Sequence, residues 1–246
     1  AELGLKTLVL EKGLQPDYPC NSRYSGGIYH IAHRDPRTPP EELQEHIRLV
    51  TKNTAAPDLS VALSEHGGPF IRWLQEKGVK FMQSQSSKKH SAPIAIPVRR
   101  LVGGLDWKGR GPDVLMRQVT QALVAAGGEL MLGVEATRLV MREGRCIGVE
   151  AQRDGRPLVL ECSQAVILAD GGFQANLELV GRHIAPSPAN LIQRGAATGN
   201  GAGLRMAVEA GAATTEMGSF YGHLLSRDAF GNDMLWPYPQ LDELAV

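Results

Sequence analysis

Four short stretches of the chain carry groups able to do chemistry on a nucleotide-like ligand. The first ends in Glu11, which closes the apolar run Thr7-Leu8-Val9-Leu10. An acid at the end of the second strand of a dinucleotide-binding βαβ unit accepts the adenosine ribose hydroxyls, about 20 residues after a GxGxxG loop. No such loop precedes Glu11, and an acid ending a strand is also an ordinary solvated edge. The second stretch is Asn21-Ser22-Arg23-Tyr24-Ser25-Gly26-Gly27. Its paired glycines let backbone approach a flat ligand without a Cβ in the way, although the same composition makes a flexible surface turn. The third is Leu168-Ala169-Asp170-Gly171-Gly172-Phe173. The carboxyl ends of parallel strands are where open α/β sheets hold ligands; the plain alternative is a strand-to-helix turn. The fourth is Thr198-Gly199-Asn200-Gly201, entering a helix. Backbone N–H groups at a helix N-terminus form an anion or dipole site, and ordinary capping uses the same residues.

The elements that must position these groups follow from the pattern. Gly4 suits a helix C-cap, and residues 7–10 read as a strand of the buried parallel kind. Pro39-Pro40-Glu41-Glu42 starts a helix continued by Leu43, Ile47 and Val50, and a second helix carries Phe70, Ile71, Trp73 and Leu74 to Gly78. Residues 83–100, rich in Ser, Gln, Lys and Pro, read as a surface excursion. Pro112 and Gly127-Gly128 bracket a further helix. Beyond it, residues 136–141, 146–152 and 157–162 read as an antiparallel meander with turns at Glu143-Gly144 and Asp154-Gly155. Residues 165–169 are wholly apolar and read as a buried strand; residues 203–211 read as a helix. The sum is an α/β fold with a parallel core sheet.

Bulk properties narrow the function classes. The 246 residues are 43% hydrophobic and 21% charged, and 26 Lys+Arg balance 26 Asp+Glu. No net field points to nucleic acid or an acidic membrane, and no apolar run is long enough for a transmembrane segment. The three cysteines form no CxxC pair, so neither a zinc site nor a disulfide framework is expected, and free thiols fit a cytoplasmic location. His30 and His33 have no third ligand spaced with them, and no metal is expected.

In order and spacing, the four stretches together resemble the superfamily of FAD-dependent fumarate reductases, succinate dehydrogenase flavoproteins and 3-ketosteroid dehydrogenases, with features of the tricarballylate dehydrogenase type. VILADGGFQAN followed by TGNGAGLRMAVEAGA carries the likeness most specifically. It implies a Rossmann-like FAD-binding fold of the glutathione-reductase type, with a small antiparallel β-meander. On this reading residues 1–225 are an FAD-binding domain lacking its first strand and GxGxxG loop, and 226–246 begin a substrate-capping domain.

The resemblance also assigns roles. Glu11 would hold the adenosine ribose with Lys12 beside it; Asn21 and Ser22 would lie along the FAD; Ser25, Gly26 and Gly27 would pack near the isoalloxazine. Ala136 would offer adenine its backbone, and Ala169, Asp170 and Gly171 would close the other side of the nucleotide. Thr198, Gly199, Asn200 and Gly201 match a segment that usually ends Gly-Asp-Gly. His223 stands where dicarboxylate-acting relatives bind a substrate carboxylate, although Leu224 replaces their usual Pro. The family's proton-transferring Arg lies past residue 246, so no catalytic acid or base is nominated.

The implied reaction adds or removes two hydrogens across a carbon–carbon bond next to a carboxylate or carbonyl. The substrate would be a small carboxylate or ketone, with an electron donor or acceptor that the sequence does not identify. Two alternatives share these features. One is a nicotinamide-dependent Rossmann enzyme, which also uses a strand-end acid. The other is a truncated, non-catalytic flavoprotein fragment.

Overall fold

A computed structural model of the chain describes residues 1–87, 90–95, 107–191 and 195–219. In chain order the first elements are β1 (Leu8–Glu11), α1 (Asn21–Tyr24), α2 (Pro40–Val50), α3 (Pro57–Glu76), β2 (Phe81–Ser87), β3 (His90–Ala95) and α4 (Gly111–Ala125). They are followed by β4 (Glu129–Leu132), β5 (Val134–Arg142), β6 (Arg145–Arg153), β7 (Arg156–Glu161), α5 (Leu177–His183) and α6 (Ala202–Glu209). The described residues divide into two compact units, one from 1–24 and 123–219 and the other from 25–122.

In the first unit β1 pairs in parallel with β4, Leu8 opposite Glu129 and Glu11 opposite Leu132. The expected meander is present as β5–β6–β7. Its turns explain why it was legible. Glu143 and Gly144 have φ of 51° and 75°, and Asp154 and Gly155 have φ of 50° and 72°. Two successive left-handed residues make the type I′ turn whose twist suits adjacent strands. Val134, Val149 and Ala151 are buried within this meander. The helix expected over 203–211 forms as α6, and Gly211 follows it at φ 95°.

The buried strand expected over residues 165–169 does not form. These residues have no strand assignment, and Ile167 and Leu168 are 85% and 38% exposed. Apolar character reports only a preference for burial, whereas a strand also needs a neighbouring ladder. No described strand pairs with this segment. β1 itself pairs with β4 alone among the described strands, and its Leu8 and Val9 are 40% and 39% exposed, so it is less buried than its sequence suggests.

The second unit is organised around Leu74, Val79, Ala95 and Leu115, with Tyr29, Trp73, Phe81, Met116 and Val119 packed against them. A smaller cluster joins Ile31, Leu43 and Ile47. Within the expected surface excursion over 83–100, residues 83–87 and 90–95 are β-structure, and residues 88–89 and 96–100 lie outside the described residues. β2 and β3 pair antiparallel, Phe81 opposite Ala95 and Ser87 opposite His90, with a register shift between Ser84 and Ser87. Backbone pairing satisfies N–H and C=O groups whatever the side chains, so a polar composition concealed it. At the start of α4, Gly111 lies against β3: a Cβ there would sit 1.8 Å from the Ala95 carbonyl oxygen. Asp113, 0% exposed, accepts the Gly109 N–H at 2.8 Å and the Arg117 Nε–H at 3.1 Å, anchoring the first turn of α4.

Candidate functional site

Glu11 stands at the carboxyl end of β1, where its Oε1 accepts the Gly13 N–H at 2.7 Å. That bond folds the carboxylate over the turn. A Cβ at Gly13 would lie 2.3 Å from Tyr18 Cβ, so the turn requires glycine. The Gly13 carbonyl accepts the Gly133 N–H at 2.9 Å, which brings the β4–β5 turn to the end of β1. Lys12 Nζ donates to the Thr198 carbonyl at 3.2 Å, and Asn21 Oδ1, at the head of α1, accepts the Ala196 N–H at 2.9 Å. Three of the sequence-defined stretches therefore meet around one strand end.

The remaining stretch, Leu168 to Phe173, joins them through α6. Gly201, the N-cap, is left-handed at φ 78° and has no side chain to satisfy the first N–H groups. Two neighbours do so: Asn200 Oδ1 accepts from Ala202 N–H at 3.1 Å, and Asp170 Oδ2 accepts from Gly203 N–H at 2.7 Å. The helix N-terminus expected to offer these donors to an anion thus already spends two of them inside the chain. A Cβ at Gly203 would meet Asp170 Oδ1 at 1.9 Å, so the contact needs glycine. Asn176 caps α5 by accepting the Leu179 N–H and donates through Nδ2 to the Asn200 carbonyl at 3.1 Å. The Ala175 N–H donates to the Gly199 carbonyl at 2.8 Å. Ala169, Asp170 and Gly171 are exposed, and Gly171, at φ 89°, has nothing within 4 Å of a Cβ position.

Ala136 lies on β5 beside an irregularity in its pairing with β6, and Ser22 is exposed on α1. Ser25, Gly26 and Gly27 belong to the second unit. There Gly27, at φ 74°, has an internal reason to be glycine, since a Cβ would meet Pro112 Cγ at 2.9 Å and its carbonyl accepts the Ala95 N–H. His223 lies outside the described residues, as do residues 226–246.

Two arginines beside these stretches have contacts that the sequence reading did not anticipate. Arg23 is 1% exposed, with its guanidinium 4.7 Å from the Tyr18 ring centroid and Nη2 donating to the Pro16 carbonyl at 2.8 Å. Burial pushes the Tyr18 hydroxyl up, reinforced by the charges of Cys20 and Glu11 and opposed by Arg23. Nothing in the spacing marks Arg23 as buried; it reads as a loop charge. The other is Arg205, whose contact with Thr137 is taken up below.

The Glu11 carboxylate at a strand end, the strand backbone at Ala136 and the open surroundings of Gly171 are groups that could hold a nucleotide. Strand-end acid, parallel pair, meander and glycine turns define a dinucleotide-binding α/β protein of the flavoprotein type. Residues 1–228 match the family model described as FAD binding domain, and the chain belongs to that family, with FAD as its cofactor. This decides against the nicotinamide alternative.

Over 128 residues the chain is 29% identical to the NADH:acrylate oxidoreductase of Vibrio harveyi, covering 51% of this chain and 12% of that protein. Among solved structures it superposes on the 3-ketosteroid-Δ4-(5α)-dehydrogenase of Rhodococcus jostii RHA1 with a TM-score of 0.71 at 17% identity, covering 86% of this chain and 50% of the other. The flavocytochrome c3 fumarate reductase in its open conformation gives 0.66 at 18%, covering 85% and 40%. The chain thus spans half or less of each of these proteins. Among the described residues no helix is long and apolar enough to cross a membrane.

Proposed function

We propose that the protein is an FAD-dependent oxidoreductase that adds or removes two hydrogens across a carbon–carbon bond next to a carboxylate or carbonyl. The observation that carries this reading is the meeting of Glu11, Lys12, Asn21 and the 196–198 segment at one strand end, through the Lys12–Thr198 and Asn21–Ala196 hydrogen bonds. The names of the similar proteins add the substrate class. Acrylate, fumarate and 4-androstene-3,17-dione all hold a carbon–carbon double bond conjugated to a carboxylate or ketone.

Bound FAD supplies the two-electron chemistry, taking up or giving back a hydride. The chain's residues bind and orient. Glu11 would accept the ribose hydroxyls, with its carboxylate fixed in advance by the bond from Gly13. Lys12 lies beside it; Asn21 and Ser22 line the cofactor; Ala136 offers its backbone to adenine. Ala169, Asp170 and Gly171 close the opposite side together with Thr198, Gly199, Asn200 and Gly201. On the family resemblance, Ser25, Gly26 and Gly27 would lie near the isoalloxazine. His223 donates a hydrogen bond to a substrate carboxylate, more strongly when protonated. The substrate is a small carboxylate or ketone, the electron partner a separate donor or acceptor, and the three free cysteines suit the cytoplasm.

Residues 1–225 form the cofactor domain in this reading, and 226–246 enter a capping domain. The test is anaerobic. The protein is loaded with FAD, reduced with dithionite, and mixed with fumarate, acrylate or 4-androstene-3,17-dione while the visible flavin band is followed. Return of the oxidised band with one of them is expected. A reduced flavin that none of the three reoxidises, but oxygen does, would remove the proposed reaction.

A further inference from the structure

We infer that Arg205 is a positioning residue for the adenine side of the site, holding open the bulge in β5 that presents the backbone of Ala136. The inference rests on the reading of Ala136 as the adenine contact. In the β5–β6 ladder Ala136 faces Ala151 and Arg138 faces Glu150, so Thr137 is the extra residue of a β-bulge. A bulged residue drops out of the ladder and re-aims its neighbours. Thr137 is instead held on two sides. Its Oγ1 donates to the Glu150 carbonyl at 3.1 Å, and its carbonyl accepts from Arg205 Nη2, on α6, at 2.9 Å.

The guanidinium is itself aimed. Arg205 Nη1 lies 2.9 and 3.2 Å from the two carboxylate oxygens of Glu209, one helical turn on, which leaves Nη2 for Thr137. Arg138, the residue after the bulge, forks onto the Glu150 carboxylate through Nε at 2.9 Å and through Nη2. The charge of Glu209 also acts on Arg138. Two cations and two carboxylates thus flank one backbone irregularity, with Arg205 bonded directly to its Thr137 carbonyl.

The side chains involved are half exposed, and exposed ion pairs add little to overall stability. What the arrangement selects is geometry. Closing the bulge would shift the register by one residue and turn Ala136 and its neighbours to the opposite face. A charge-assisted bond to the Thr137 carbonyl favours the bulged register, in which that carbonyl meets Arg205. The Asp170–Gly203 bond holds the start of the same helix, so α6 ties two walls of the site together.

The test compares Arg205→Met and Arg205→Lys with the parent in the intact protein. FAD, ADP and FMN are titrated into each, and amide exchange is read at residues 136–138. Loss of one charge-assisted bond predicts FAD and ADP binding about tenfold weaker in Arg205→Met. FMN, which lacks the adenosine half, should be unaffected. Exchange at 136–138 should quicken, and Lys, with a single point donor, should restore part of the loss.

Unchanged FAD and ADP affinity in a folded Arg205→Met overturns the inference. So does a loss shared by FMN, which would mark general damage. Should Arg205→Met fold poorly, Arg205→Lys and Glu209→Gln carry the test. Both are expected to show smaller losses confined to FAD and ADP, and parent-like affinity in both overturns it. A parent that binds neither FAD nor ADP would overturn the reading of the site and this inference with it. That result is distinct from a parent that binds both while its variants follow it unchanged.

Discussion

Replacing Asp170 with Ala tests how the candidate site is joined to α6. The helix has eight residues, an N-cap without a side chain, and its first free N–H groups served by Asn200 and Asp170. Removing a capping acceptor costs about 0.5–2 kcal/mol. A carboxylate at a helix N-terminus contributes a further ~0.3–1 kcal/mol through the dipole. Asp170 is exposed, so water takes up the freed Gly203 N–H and the low ends apply, giving about 1 kcal/mol in all. Asn keeps the acceptor and loses the charge, so Asp170→Asn should cost about half as much. Amide exchange at Gly203 should quicken about fivefold in Asp170→Ala, and the melting temperature should fall by about 2–4 °C. Added salt should narrow the gap between Asp170 and Asn by screening the dipole interaction. An Asp170→Ala protein with parent-like exchange at Gly203, or an Asn variant worse than Ala, would refute the capping account.

Other perturbations have equally direct readouts. Asp113→Ala strips the buried acceptor from the Gly109 N–H and from Arg117, whose Nη2 lies 3.0 Å away. Because the Arg117 side chain is half exposed, the expected cost is about 2 kcal/mol, read as a lowered urea midpoint. Gly111→Ala places a Cβ 1.8 Å from the Ala95 carbonyl and should cost about 1–3 kcal/mol by the same measurement. The hydrogen bond from Arg138 holds the Glu150 carboxyl below the usual glutamate range. A group lowered on folding stabilises above its unfolded pKa, about 4.3 for glutamate, and loses that contribution as pH falls through the folded value. The carboxyl carbon-13 titration of Glu150 should therefore have a lower midpoint in the parent than in Arg138→Met.

Legibility in the sequence followed the local physics. The meander could be read because Glu143-Gly144 and Asp154-Gly155 announce turns with two left-handed residues, a requirement met within four residues of chain. The helices α2 and α4 carried their own Pro starts and apolar periodicity. The 165–169 segment misled because five apolar residues look alike with or without a neighbouring ladder. The β2–β3 hairpin was hidden by polar side chains that say nothing about backbone pairing.

At the site, glycine clusters and the strand-end Glu11 were visible as residue types. Their meeting was not, because it depends on bonds such as Lys12–Thr198 and Asn21–Ala196 that span most of the chain. Arg23 and Arg205 were missed for the same reason: a long cation looks solvated until its partners, Tyr18 and the Thr137 carbonyl, are in place.

The most direct measurement is an FAD titration of the purified protein and of its Glu11→Ala variant, followed by flavin absorbance and fluorescence. The account predicts saturable one-to-one binding, competed by ADP. Loss of a charge-assisted ribose contact should weaken it by about 10- to 100-fold in Glu11→Ala. A parent that binds no FAD, or a Glu11→Ala variant that binds it as tightly as the parent, would contradict the account.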